Sequence, residues 1–109
     1  MAKYLINGSY TVAGTKGLLA EGGSARKAAV EKALQGLGGK LDAIYYTYGD
    51  TDVVVIADIP DAASALALSL VINASGAVNI TTTPLLTVAD VDAACKKTVA
   101  YRPAGAAGG

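Results

Sequence analysis

Apolar and polar positions alternate through residues 3–12 (KYLINGSYTV). Tyr4, Ile6, Gly8, Tyr10 and Val12 fall on one face, and Lys3, Leu5, Asn7, Ser9 and Thr11 on the other. Period two with this aromatic and β-branched content predicts a strand. After Ser24 the period lengthens. Ala29, Val30, Ala33, Leu34 and Leu37 share a face, while Arg26, Lys27, Glu31, Lys32 and Gln35 lie mainly opposite. This predicts a helix from Ala25 to about Leu37, with Ser24 as N-cap and Gly38-Gly39 as C-cap. Between the two, Gly14–Gly23 (GTKGLLAEGG) holds four glycines. It reads as a loop or one short helical turn.

Residues 40–48 (KLDAIYYTY) and 53–59 (VVVIADI) predict two strands of a hairpin, joined by Gly49-Asp50-Thr51-Asp52. The second is apolar on both faces until Asp58, the pattern of a strand inside a sheet covered on both sides. Asp61 is placed to cap a helix over residues 62–74. That helix is apolar nearly all round, so burial on more than one side is expected. Residues 77–86 (AVNITTTPLL) predict a further strand, with Pro84 at a sheet edge or leaving the sheet. Thr87-Val88-Ala89-Asp90 is a capping-box variant that opens a short helix to about Thr98. Asp90 and Asp92 sit near its positive end, Lys96 and Lys97 near its negative end.

The order β-α-β-β-α-β with a terminal helix predicts an α+β fold of the ferredoxin-like, split βαβ kind, with a four-stranded antiparallel sheet. Right-handed crossovers put both helices on one sheet face and leave the other bare. Along residues 53–59, Val53, Val55, Ala57 and Ile59 point one way, Val54 and Ile56 the other, so helices can cover only one set. Composition sharpens this. Of 109 residues 52% are hydrophobic and 17% charged. The mean hydropathy is +0.41. A small domain has little interior to take such an excess, and a subunit interface is its natural destination. A homodimer or higher homo-oligomer through the helix-free sheet face is expected. Residues 1–101 are read as one domain and residues 102–109 as a flexible tail.

Charge and residue inventory narrow the chemistry. Lys plus Arg and Asp plus Glu balance at nine each. No basic tract suits a phosphate backbone, so a nucleic-acid partner is not expected. There is no His, which removes the commonest acid–base group and the commonest neutral metal ligand. Cys95 is the single cysteine, so neither an internal disulfide nor a thiolate zinc site is available; a packing role on the last helix is expected for it. The start of the chain lacks the pattern of a signal peptide. Residues 62–89 carry no charge, but the stretch is broken by Ser75-Gly76, Asn79, the threonines and Pro84, so no membrane span is expected. A cytoplasmic location is the expectation. No cofactor and no metal site are expected.

Around Tyr48–Ile56 (YGDTDVVVI) the chain resembles the GYD-domain family. So do Lys3–Thr11, Gly22–Glu31, Gly38–Leu41 and Thr82–Thr87. The resemblance covers about residues 3–100. It implies a ferredoxin-like member of the dimeric α/β-barrel group, whose other members include cofactor-free monooxygenases, isomerases and ligand-sensing domains. Thr51 stands where the family usually has Tyr, so a role needing that tyrosine does not carry over.

Three groups of residues are candidates for a site, each with a structural reading beside it. Asp52, with Gly49 and Asp50, is a hairpin turn by residue type; its alternative is an acid–base group at a pocket edge. Asn7, Tyr10, Tyr45, Tyr46 and Tyr48 are packing rings with one hydrogen bond each, or a small-molecule site in which Asn7 and a Tyr hydroxyl polarise a carbonyl or enolate. By simple alternation Tyr46 and Tyr48 share a face with Ile44, and Tyr45 faces away with Leu41 and Ala43. Lys16, Ser24 and Arg26 beside Gly22-Gly23 are a flexible cap, or an anion site gated by the Gly-rich segment. The set Asp50, Asp52, Asp58 and Asp61 lacks metal-loop spacing and reads as turns and a cap. The leading expectation is an oligomeric small-ligand-binding or structural module. The alternative is a cofactor-independent monooxygenase- or isomerase-like enzyme acting on a small organic substrate.

Overall fold

The computed structural model describes residues 1–105. Its elements run β1 (Ala2–Tyr10), α1 (Val12–Glu21), α2 (Gly23–Gly36), β2 (Lys40–Tyr46), β3 (Val53–Ile59), α3 (Ala62–Ala74), β4 (Val78–Leu85) and α4 (Val88–Cys95). All strand pairs are antiparallel, in the order β2-β3-β1-β4. This is the α+β, ferredoxin-like arrangement that the element order predicts. Residues 106–109 of the expected tail lie outside the described residues.

The core lies between one sheet face and the helices. Tyr4 and Ile6 of β1 and Val53, Val55, Ala57 and Ile59 of β3 are buried there against Leu34 of α2 and Ala65 and Leu68 of α3. Both β1 and β3 lose every second side chain to this core, as period two requires. Leu5, Val54 and Ile56 project from the opposite face, where no helix lies, and are half-buried.

Four local expectations change. Residues 12–21 form a helix rather than a loop, because Thr11 caps it: its hydroxyl accepts from the Gly14 amide at 3.2 Å. Ser24 is not a cap, since α2 begins at Gly23 behind Gly22, whose φ of 84° breaks the two helices apart. The buried seam of α2 is narrower than expected. Val30, Leu34 and Leu37 face the core, while Ala29 and Ala33 are exposed. A bulge at Asp42 separates Leu41, which pairs with Ala57 and packs on the core, from Ala43, which pairs with Ile56 on the bare face. Simple alternation would put both on one face; the extra residue breaks that parity. The freed Asp42 carboxylate accepts from Lys3 Nζ at 3.1 Å, and Asp58 does so at 3.0 Å.

Pro84 sits on the edge strand, where its missing N–H costs no ladder bond. The capping box at Thr87 and Asp90 forms, with reciprocal bonds of 3.0 Å. Beyond it, no described residue is buried. Every residue from Leu86 to Gly105 is exposed, Cys95 included, so Cys95 has no packing role within one copy. The radius of gyration is 17.9 Å, against about 13 Å for a compact chain of this length, because this segment projects. Among the described residues no helix is long and apolar enough to cross a membrane.

Candidate functional site

The site begins with how α1 is held. The Thr11 amide donates to the Ala77 carbonyl at 3.0 Å, and the Thr11 hydroxyl donates to the Gly76 carbonyl at 2.7 Å. These bonds tie the start of α1 to the turn between α3 and β4. Gly14 makes the approach possible: a Cβ there would stand 1.8 Å from the Ala77 carbonyl oxygen. Pinned at this end and broken at Gly22, α1 spans the gap between α3 and α2 without filling it. Gly14 is its one buried residue.

The unfilled space is a groove with two lobes, which share Tyr10 and Leu18. The deeper lobe, of about 380 Å³, has a floor of Ile6, Val53, Val55, Ile72, Val78 and Ile80. Gly17 of α1 and Arg26 of α2 stand at its rim. The outer lobe, also about 380 Å³, is bounded by Tyr10, Tyr46, Thr47 and Asp52. Such volumes lie in the range of small-ligand pockets.

Polar groups gather where the lobes meet. The Tyr46 hydroxyl donates to the Gly23 carbonyl at 3.3 Å. Partial burial raises its pKa, and the neighbouring Tyr10 hydroxyl adds to this, while the Arg26 cation opposes it. Tyr46 is therefore a neutral hydrogen-bond donor at neutral pH. Arg26 Nη1 contacts Glu21 at 3.5 Å, a long and half-exposed pair that engages one of its five N–H donors. Asp52 is committed elsewhere. Its carboxylate accepts from the Tyr10 amide at 2.8 Å, and its own amide donates to the Gly8 carbonyl at 2.8 Å.

Of the residues singled out in the sequence, the fold brings Tyr10, Arg26, Tyr46 and Asp52 to this groove. Asn7 does not join them: it pairs with Val54 and Thr81 on the bare sheet face. Tyr48 lies past the end of β2 and is fully exposed, as Tyr45 largely is on the bare face. Lys16 and Ser24 are exposed and line neither lobe. Of the four aspartates, Asp50 and Asp52 lie at the hairpin turn and Asp61 is a helix cap, as expected, while Asp58 lies within β3 and is neither turn nor cap. Asp61 caps α3 by accepting from the Ser64 amide at 2.7 Å, and Asp58 pairs with Lys3. Among the described residues no cluster of three metal-ligating side chains occurs.

Sequence reasoning missed the lining contributed by α1. The signal was there: Ala13, Gly14, Gly17 and Leu18 recur at helical spacing behind a Thr, but the glycines masked it.

The model of the GYD domain matches residues 4–95. The chain belongs to the GYD-domain family. The matched span runs from the start of the core face of β1 to the end of α4, so it takes in both lobes of the groove. Within this GYD domain, Gly49 and Asp52 of the motif region flank the hairpin tip, and Asp52 holds that tip to β1 through the Tyr10 amide. No curated protein and no solved structure matches the chain.

Proposed function

We propose that this GYD-domain protein is a self-associating module that holds a small molecule between its sheet and its helices. The observation that carries the reading is the groove under α1. It has an aliphatic floor, a few converging polar groups at one end, and a thin Gly-containing helix as its cover. A purely structural domain has no use for such a space, since unfilled volume forfeits dispersion contacts. Binding fits better than acid–base catalysis, because both carboxylates that border the groove are engaged, Asp52 by a backbone amide and Glu21 by Arg26. Self-association follows from the bare sheet face. Leu5, Val54 and Ile56 line its middle, and packing it on a second copy removes apolar surface at about 25 cal/mol per Å² before association costs.

Both parts are tested in solution. Sedimentation at micromolar concentration is expected to show a dimer or larger, and Ile56→Glu at least halves the assembly mass while leaving far-UV circular dichroism unchanged. A wild-type species of 10.8 kDa alone refutes self-association. For the groove, amide shifts on titrating small apolar fragments should concentrate at Gly17, Leu18, Val55 and Ile80. Shifts scattered over the surface, or confined to the bare sheet face, refute the pocket.

A further inference from the structure

We infer that the groove's ligand is a small apolar acid: a flat or alicyclic body of about a dozen non-hydrogen atoms bearing a single carboxylate or phenolate. This rests on the reading of the groove as a binding site and adds the chemistry of what it takes. Size comes from the deeper lobe. Its volume of about 380 Å³ equals roughly a dozen water-sized portions of liquid. The body is set by the floor, since Ile6, Val53, Val55, Val78 and Ile80 offer no hydrogen bond from their side chains. A polar group laid there goes unsatisfied, at a cost that disfavours sugars or zwitterions.

The acidic end follows from the donors where the lobes meet. Arg26 brings a permanent cation to the rim of the apolar lobe. Its ion pair with Glu21 is long, at 3.5 Å, and the Glu21 side chain is 51% exposed, so Glu21 can swing into solvent when a ligand anion arrives. The Tyr46 hydroxyl stands at the same junction, and its one proton becomes a second donor to a ligand oxyanion by leaving the long 3.3 Å bond to the Gly23 carbonyl. Tyr10 borders both lobes and so stands between the aliphatic floor and these donors. A ligand with its body on the floor thus presents its oxyanion to a guanidinium and a phenol. A cationic ligand meets Arg26 instead, and a neutral one leaves its charge without a new partner.

The probe is 1-naphthoate, with 1-naphthalenemethanol as its neutral counterpart. The chain has no Trp, so naphthalene fluorescence is read without indole emission. Naphthoate is expected to bind the full-length protein about tenfold or more tightly than the alcohol. Arg26→Gln should remove that preference by weakening naphthoate about tenfold more than the alcohol, and Tyr46→Phe should reduce it by less. Gly17→Leu, whose four added carbons start in space where no atom lies within 4 Å, should take up part of the lobe and weaken binding of both probes about tenfold or more in a folded protein. Equal affinity of the two probes, weakened by Gly17→Leu but unaffected by Arg26→Gln, overturns the acid while the groove stands. Failure of both probes to bind, or binding that Gly17→Leu leaves unchanged, overturns the groove and the acid together.

Discussion

Two glycines of α1, one turn apart, should respond to the same substitution with opposite signs. In Gly17→Ala nothing lies within 4 Å of the new methyl. Only the helix term remains, so the variant gains about 0.5–1 kcal/mol from helix propensity and lost unfolded-state freedom. Gly14→Ala gains the same term but drives its methyl to 1.8 Å from the Ala77 carbonyl oxygen. That oxygen also accepts from the Thr11 amide at 3.0 Å, and the adjoining Gly76 carbonyl accepts from the Thr11 hydroxyl at 2.7 Å. Relief requires α1 to lift away. Overpacking of this kind costs about 1–3 kcal/mol, and each bond weakened adds about 1 kcal/mol. The net is a loss of about 2–3 kcal/mol. Urea unfolding followed by far-UV circular dichroism, with all proteins at one concentration, measures both. At about 4–8 °C per kcal/mol, Gly17→Ala should melt a few degrees above wild type and Gly14→Ala ten degrees or more below it. Shifts of the same sign would refute the docking of α1 on the α3–β4 turn.

Other parts of the fold give sharper or simpler tests. Leu34 is fully buried between α2 and the sheet, so Leu34→Ala should lower the free energy of unfolding by about 2–5 kcal/mol in the same assay. The backbone and side chain of Ser64 hold the Asp61 carboxyl below its ordinary value. A depressed folded pKa contributes stability that is present above the unfolded value of 3.8 and is lost as pH falls through the folded one. Asp61→Asn keeps a capping oxygen but cannot titrate, so wild type should lose its advantage over the variant only below about pH 4. Truncation after Leu86 removes, among the described residues, exposed ones alone, so the thermal midpoint of an Ile56→Glu, Leu70→Glu double variant, expected to be monomeric, should move by no more than about 2 °C.

The sheet was legible in the sequence because its signals agree. Alternation over residues 3–10, the apolar run 53–59 and the hairpin turn that joins β2 to β3 each point to the same order. What escaped was decided by tertiary contacts that leave a weak or contrary local trace. The glycines of α1 argue against a helix by propensity, yet Gly14 is there because a larger residue would strike Ala77. The bulge at Asp42 changes the face of Leu41 without any glycine or proline to announce it. The same holds for the site. Tyr10, Tyr46 and Arg26 could be named as candidates from residue type, but Asn7 shares β1 with Tyr10 and differs from it only by parity. An odd separation along a strand sends two side chains to opposite faces, and that alone sets Asn7 apart from the groove.

α3 bears on how many contacts the proposed assembly would use. The helix carries no charge, and its sequence predicts burial on more than one side, yet one copy buries only Ala65 and Leu68. Leu66, Leu70 and Val71 are 59%, 60% and 71% exposed. Val71 borders the groove, whereas Leu66 and Leu70, one turn apart, leave an apolar stripe on the helix layer, and the bare sheet face lies on the far side of the sheet. A single isologous contact covers one patch on each copy, so it cannot cover both. Two separate contacts are therefore expected, and wild type should sediment above dimer mass. Ile56→Glu removes the contact through the sheet, Leu70→Glu the contact through α3, and each should leave a dimer. The double variant should be a folded monomer. A wild-type dimer that Ile56→Glu alone dissolves to monomer would show that α3 remains exposed in solution, and that its missing charges do not mark an interface.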